Sequence, residues 1–110
     1  MIRVTVEKAN GRYKGFACEG HALYADAGKD VICAAVSMLA INTVNAIESL
    51  AGIDQDVKSD KESGSLTVRF KDELNEKAEV LMDAFVLGVS SVQQQYGGRY
   101  VTYTEISDTL

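Results

Sequence analysis

The sequence has 110 residues and contains no proline, a single histidine and only two cysteines. Because proline is absent, glycine must mark the breaks between helices and strands. The cysteines do not form a CxxC pair, and with one histidine the chain has no standard spacing of zinc ligands. We therefore expect no metal and no cofactor, and in a reducing compartment we expect no disulfide.

Two kinds of membrane-directed segment are also missing. No apolar run reaches about 18 residues, so we expect no transmembrane helix and no membrane partner. Residues 1–6 alternate apolar and polar side chains, whereas a signal peptide has a basic start and a continuous apolar stretch. A cytoplasmic location is the expectation that follows.

The chain has fewer basic than acidic residues, 11 against 16, which gives a formal net charge of −5. This balance argues against direct binding of nucleic acid, which needs a basic patch to displace counterions. An acidic surface suits a basic partner, such as a ribosomal protein, through electrostatic steering. The alternative is that mild acidity serves solubility alone.

Alternating patterns predict two hairpins. Residues 2–7 alternate as a half-buried strand, and Asn10-Gly11 is a hairpin turn signal. The second strand is predicted at about 12–19, and its inward face is expected to carry Lys14, Phe16 and Cys18. The second hairpin pairs a polar edge strand at 55–60 with a strand whose inward residues are Leu66, Val68 and Phe70, joined by a turn at Ser63-Gly64.

Two helices are predicted from apolar residues at helical spacing. The first begins near Asp30, a good N-cap, and stops at Gly52. Its apolar face comprises Ile32, Ala35, Val36, Leu39, Thr43, Ala46, Ile47 and Leu50. The second runs from about Asp72 to Tyr96, with an apolar stripe at Leu74, Ala78, Leu81, Phe85, Gly88, Val92 and Tyr96.

With a last strand at about 100–106, the element order is ββαββαβ. Two helices that each have one apolar stripe most simply cover one face of a single sheet. We therefore predict an α+β fold in one domain, residues 1–110, as a two-layer sandwich with both helices on one face of a mainly antiparallel sheet. The opposite sheet face then needs water or a second subunit to cover it.

The chemistry-bearing residues flank the start of the first helix. If Asp30 is the N-cap, Cys33 is the third helical residue, where the helix macrodipole favours negative charge and lowers the pKa of a thiol. His21 follows Gly20 at the end of the preceding strand, and the loop can return it to the thiol. A thiolate beside an imidazolium is the activated nucleophile of cysteine proteases.

Other interpretations of these residues stay open on the sequence alone. Cys33 could be a small core residue and His21 a turn residue, as Cys18 is expected to be a core residue. Ser37, one turn after Cys33, could bond His21 or a substrate carbonyl, or only the helix backbone. Asp30 could orient His21 as well as cap the helix, and the amides of residues 31–33 could form an oxyanion hole.

The loop of residues 22–29 contains Tyr24 and several small residues. We expect that such a loop can close over a bound peptide.

At these residues the sequence resembles a known family. Gly20-His21-Ala22, followed by Asp30 and the run from Cys33 to Ser37, is similar to the signature of the ribosomal-processing cysteine proteases called Prp. The likeness extends over the whole chain, from the first hairpin to the last strand. Val31-Ile32 stands where the reverse order is common in the family, a swap without chemical consequence.

The resemblance implies a cysteine endopeptidase with Cys33 as nucleophile and His21 as general base, and with Ser37, Asp30 and Gly20 in support. It implies removal of the N-terminal extension of a large-subunit ribosomal protein, number twenty-seven, during ribosome maturation. Aromatic residues are expected before the cut and alanine after it. A homodimer is also implied, in agreement with the uncovered sheet face.

Two further functions compete with the enzyme. A non-catalytic, ribosome-associated binding module would suit the small size and the acidity, but would not explain a histidine and a cysteine near one helix N-terminus. A thiol redox sensor, in which Cys18 resolves Cys33, is the other. Alkylation of Cys33 that is faster than that of Cys18, with a midpoint well below about pH 8.5, would favour the enzyme.

Overall fold

The computed structural model describes residues 1–26 and 30–108. In chain order its elements are β1 (Ile2–Ala9), β2 (Arg12–Glu19), α1 (Val31–Ala51), β3 (Gln55–Asp60), β4 (Ser65–Phe70), α2 (Glu76–Tyr96) and β5 (Val101–Asp108). The predicted order ββαββαβ is confirmed.

The five strands form one sheet in the order β3-β4-β2-β1-β5. Three neighbouring pairs are antiparallel, and only β1 and β5 are parallel. The predicted mainly antiparallel sheet is therefore confirmed, and β3 lies at the edge, as its polar sequence indicated.

The connections explain why both helices cover the same face of the sheet. α1 leads from β2 to β3 and α2 leads from β4 to β5, and in each case the two strands point the same way. Crossovers of this kind are almost always right-handed. β2 and β4 are antiparallel, and the crossover from β2 leads toward one edge of the sheet whereas the crossover from β4 leads toward the other edge. Because both crossovers have the same handedness, the two helices lie on the same face of the sheet.

The core fills the space between this face and the helices. Val4 and Val6 of β1 and Phe16 of β2 are at most 3% exposed. Phe85 of α2 is 1% exposed, and its ring centroid lies 4.5 Å from that of Phe16. An aromatic pair at this distance adds about 0.5–1.5 kcal/mol beyond the burial of its area.

A bulge in β2 corrects the predicted inward face. Lys8 pairs with Tyr13 and Glu7 with Gly15, so Lys14 is an extra residue in β2. The bulge turns Tyr13 inward, where it is buried and donates a hydrogen bond from its hydroxyl to Asp83 Oδ1 at 2.6 Å. Simple alternation had placed Lys14 on the inner face, which was wrong because the bulge shifts the alternation by one residue.

α1 begins and ends where the sequence predicts. Asp30 is the N-cap, and Gly52 adopts the left-handed conformation, with φ of 69°, that ends the helix. The buried residues are Ile32, Val36, Ala40, Thr43 and Ile47. Leu50 was predicted on this face, but it lies beyond the sheet and is 67% exposed.

α2 begins at Glu76, four residues later than predicted. Asn75 is the N-cap, since its side-chain oxygen accepts a hydrogen bond from the N–H of Ala78 at 2.9 Å. The same side chain donates to the carbonyl oxygen of Ala51 at 2.8 Å and so ties the start of α2 to the end of α1. This long-range contact, which no local pattern encodes, selects Asn75 as the cap.

The outer face of the sheet is polar. By register it presents Thr5 and Glu7 of β1 and Thr67 and Arg69 of β4, and Glu7 and Arg69 form an ion pair at 2.9 Å. Water can cover such a surface. The uncovered face therefore does not require a second subunit, and that argument for a homodimer falls away.

α1 is long and apolar enough to cross a membrane by length and composition alone. The expectation of no transmembrane helix rested on the lack of an uninterrupted apolar run, and it stays a prediction. The criterion is weak evidence for a membrane span, since core helices also meet it. Here one side of α1 is buried in the core of the domain.

Replacing Phe85 with alanine should lower the free energy of unfolding by about 3–5 kcal/mol, because it leaves a cavity beside Phe16. Leu87→Ala on the outer side of α2, where Leu87 is 69% exposed, should cost less than about 0.5 kcal/mol. Urea denaturation followed by circular dichroism measures both. Equal losses would contradict the assignment of the core.

Candidate active site

The start of α1 is closed by the Asp30 carboxylate. Its Oδ1 accepts hydrogen bonds from the backbone N–H groups of Ile32 and Cys33, both at 3.0 Å. Cys33 is therefore the third helical residue, as predicted. Because Asp30 occupies these two amides, they are not free to form the oxyanion hole that the sequence suggested.

The second oxygen of the same carboxylate holds the segment that leaves β2. Oδ2 accepts from the backbone N–H of Tyr24 at 3.0 Å and of Ala25 at 3.5 Å. The Tyr24 ring also packs edge-on against Tyr96 and Tyr100, with centroids 5.8 and 5.2 Å away. Both carboxylate oxygens accept hydrogen bonds from backbone groups, and in the described part of the chain no hydrogen bond joins Asp30 to His21.

These contacts concern the predicted closing loop, residues 22–29. Within this loop, Tyr24 and Ala25 donate to Asp30, and the ring of Tyr24 packs against Tyr96 and Tyr100. Residues 27–29 lie outside the described residues, so the expected closure over a peptide stays a prediction.

Ala22 places a backbone donor on the candidate nucleophile. Its side chain is buried, 2% exposed, and its N–H donates to the Sγ of Cys33 at 3.3 Å. The end of β2 and the first turn of α1 are thereby joined at the sulfur atom. The sequence Gly20-His21-Ala22 indicated this position, but a hydrogen bond from a backbone N–H cannot be predicted from the type of residue that makes it.

The electrostatic surroundings raise, rather than lower, the pKa of Cys33. Burial is the largest cause, the negative charge of Asp30 adds to it, and the N–H of Ala22 opposes both. The expected lowering at the helix N-terminus was wrong because burial and the charge of the Asp30 carboxylate together outweigh the hydrogen bond from Ala22. In the free protein the group is a protonated thiol at neutral pH.

Asp30 itself stays ionised. Burial acts to raise the pKa of its carboxyl, but the hydrogen bonds from the backbone N–H groups of Cys33, Tyr24 and Ala25 outweigh burial and lower the pKa. A lowered pKa means that these bonds stabilise the fold above about pH 4 and lose their effect as the carboxyl becomes protonated at lower pH.

His21 leaves the sheet through a turn that only glycine permits. Gly20 has φ of +91°, and a Cβ there would lie 2.5 Å from the carbonyl oxygen of Met1. The amino nitrogen of Met1 donates to the carbonyl oxygen of His21. The exposed imidazole packs against Gly64 in the β3–β4 turn, where a Cβ would lie 2.7 Å from the ring carbon Cε1.

Cys33 and His21 line one open groove of about 1020 Å³ between α1 and the β3–β4 hairpin. Among the described residues no hydrogen bond joins the thiol to the imidazole. In enzymes without bound substrate such catalytic bonds are often long and tighten only in the complex. Ser37 is exposed in the same groove, one helical turn after Cys33.

The structure thus brings all the predicted site residues to one end of the sheet. Gly64 and Ala22 are the two residues that sequence analysis did not assign to the site. The sequence marked Gly64 only as a turn glycine. Within residues 1–26 and 30–108, no group of three His, Cys, Asp or Glu side chains could hold a metal ion.

Cys18 is a core residue, as predicted. It is 7% exposed on β2, and burial raises the pKa of its thiol to about 12. Both thiols are free. A thiol with so high a pKa is a poor thiolate donor at neutral pH, which disfavours the redox-sensor interpretation.

Alkylation of Cys33 by iodoacetamide in the free protein should show a midpoint above about pH 8.5, the ordinary cysteine value. Asp30→Asn keeps a capping oxygen and removes the charge, so it should move this midpoint to lower pH. Peptide mapping by mass spectrometry measures the reaction, with buried Cys18 as the internal control that stays unlabelled. A midpoint below pH 8.5 in the unmodified protein would show that the helix N-terminus dominates.

Comparison with known proteins finds one family. A family model described as cysteine protease Prp matches residues 1–102. The ribosomal processing cysteine protease Prp of Bacillus subtilis is 26% identical over 101 residues, which cover 87% of this chain and 90% of that protein. Its namesake from Staphylococcus aureus is 26% identical over 95 residues, 86% of this chain and 89% of its own length.

Solved structures share the fold. The S. aureus ribosomal processing protease Prp, in complex with a covalently linked product peptide, matches with a TM-score of 0.89 at 24% identity, covering 96% of this chain and 99% of that one. A Streptococcus mutans protein matches with a TM-score of 0.86 at 29% identity, over 98% and 99% of the two chains. Because the family model spans residues 1–102 of 110, the chain belongs to the cysteine protease Prp family and is a cysteine-type peptidase.

Proposed function

We propose that this peptidase removes the N-terminal extension of a large-subunit ribosomal protein, number twenty-seven, cutting after aromatic residues and before alanine. The observation that carries the proposal is the open groove with Cys33 in its wall and a backbone donor on the sulfur. The curated relatives are named ribosomal processing proteases, and one S. aureus structure holds a substrate peptide.

The groove suits an extended peptide with aromatic side chains. Ile41 of α1 faces it from one wall, and Val57 and Leu66 of the hairpin face it from the other. Ile41 and Val57 are 52% and 45% exposed, which is costly for apolar side chains unless a ligand covers them. An aromatic side chain buries about 150–250 Å² and would gain most from such a surface.

In the proposed reaction the Sγ of Cys33 attacks the scissile carbonyl and forms a thioester. Because the thiol is protonated in the free protein, His21 must take its proton as a general base when the peptide is bound. The imidazolium then gives that proton to the departing amine. A water molecule, deprotonated by His21, hydrolyses the thioester and restores the thiol.

The N–H of Ala22 is the best-placed donor for the oxyanion. It lies 3.3 Å from the Sγ, so the oxygen of a carbonyl carbon bonded to that sulfur falls within its reach. The amides of Ile32 and Cys33 are occupied by Asp30. We therefore assign oxyanion stabilisation to the segment after β2 rather than to the helix.

We also propose that the enzyme works in the cytoplasm as a homodimer. Two free thiols suit a reducing compartment. Met38 on α1 is 66% exposed, and it is an apolar residue that a second copy could bury. Sedimentation velocity of the protein and of Met38→Lys tests the dimer. A monomer at micromolar concentration would contradict it.

The decisive test is incubation with a peptide that carries the extension, followed by mass spectrometry of the products. Cys33→Ala and Cys33→Ser should abolish cleavage with the fold intact, because the other thiol, Cys18, is buried and has its pKa raised to about 12. His21→Ala should lower kcat by about 10²–10⁴-fold. Cys18→Ala is the matched control and should keep activity. Cleavage of the peptide at the normal rate by Cys33→Ala would contradict the assignment of Cys33 as the nucleophile.

Ser37→Ala gives a finer test of the supporting residues. If the exposed hydroxyl donates to a substrate carbonyl, its loss removes one neutral hydrogen bond, worth about 0.5–1.5 kcal/mol. We expect kcat/KM to fall about 2- to 10-fold, with the alkylation midpoint of Cys33 unchanged. An unaltered kcat/KM would mean that Ser37 is only a surface residue of the helix and does not support cleavage.

A further inference from the structure

The turn of the β3–β4 hairpin, residues 61–64, touches His21. Gly64 has φ of +67°, and a Cβ on it would lie 2.7 Å from Cε1 and 2.9 Å from Nε2 of the imidazole. It would also lie 2.9 Å from the carbonyl oxygen of Gly20. Carbon atoms of side chains are not found at such distances, so the ring and the turn meet only because residue 64 has no side chain.

The contact limits where the imidazole can go. His21 is exposed, so little else packs on its ring. The backbone of residue 20 lies so close to Met1 that a Cβ on Gly20 would be 2.5 Å from the carbonyl oxygen of Met1. A Cβ at position 64 would therefore displace the ring, which moves more easily than the carbonyl group of Gly20, the other close neighbour.

The same turn belongs to the groove. Gly64, Ser65 and Leu66 line it opposite Cys33 and Ser37. The wall that a peptide would contact is thus also the surface on which the imidazole rests.

We propose that Gly64 is a positioning residue: it holds the imidazole of His21 in the orientation that serves Cys33. This inference rests on the proposed function in one respect, that His21 is the acid–base group. A side chain at position 64 displaces the ring and slows the proton transfers while peptide binding is retained.

The test compares Gly64→Ala with Gly11→Ala. Gly11 also has a positive φ, +77°, in a hairpin turn, but a Cβ there meets nothing within 4 Å. Both variants place alanine at a positive φ, and only Gly64→Ala meets the ring and the carbonyl oxygen of Gly20. Gly64→Asn is the second variant, because asparagine tolerates positive φ better than alanine yet still has a Cβ.

Two measurements separate positioning from a merely structural role. The chain has one histidine, so the NMR resonance of its Cε1 proton is unambiguous and reports the surroundings of the ring. We expect it to shift in Gly64→Ala and Gly64→Asn and not in Gly11→Ala. In peptide cleavage we expect kcat to fall about 10- to 100-fold in both Gly64 variants, with KM changed less than about threefold.

Several outcomes would overturn the inference. They are an unshifted Cε1 proton with normal kcat, equal losses in Gly11→Ala and Gly64→Ala, or Gly64 variants that fail to fold while Gly11→Ala folds. If the unmodified protein does not cleave the extension peptide, the proposed function fails. The Cε1 resonance then still decides whether Gly64 positions the ring.

Discussion

One buried carboxylate connects the two halves of the site. Asp30 accepts from the backbone of Ile32 and Cys33 with one oxygen and from Tyr24 with the other. The first pair of bonds closes the N-terminus of α1, and the second fixes the segment that follows β2. Because the lowered pKa keeps Asp30 ionised, these are charge-assisted bonds, the stronger kind. Without these bonds, the position of the Ala22 amide relative to the Cys33 sulfur would not be fixed.

The same charge has a consequence for the thiol. Burial and the Asp30 charge raise the pKa of Cys33, and the amides of Ile32 and Cys33 already donate to Asp30. The site therefore holds a protonated thiol in a fixed position rather than an ionised thiolate. In the proposed reaction, reactivity then depends on a base at the right place, so the position of the His21 ring is the critical geometric quantity.

The sheet topology explains how such distant segments meet. The end of β2, the start of α1 and the β3–β4 turn all lie at one end of the sheet, because α1 leaves from β2 and its crossover returns through β3 beside β4. α1 does not cover the inner side of the hairpin completely. The gap is the groove, so the groove and the candidate catalytic residues arise from one crossover.

Local sequence determined the elements of this protein and the residues of its site. Strand alternation and the capping of α1 by Asp30 depend on neighbours a few positions away, and both were predictable. So was the placement of Cys33 at the third helical residue. The motif around His21 and Cys33 also carried the family, since a few residue types at fixed spacing suffice for recognition.

Tertiary structure decided what depends on residues far apart in the chain. The bulge that turns Tyr13 inward and the cap at Asn75 follow from contacts with Asp83 and Ala51. The pKa of Cys33 depends on burial, which no local pattern reports. The contact between Gly64 and His21 exists only once the hairpin is folded against the end of β2. Sequence patterns express periodicity and capping, whereas desolvation and close approach are properties of the packed molecule.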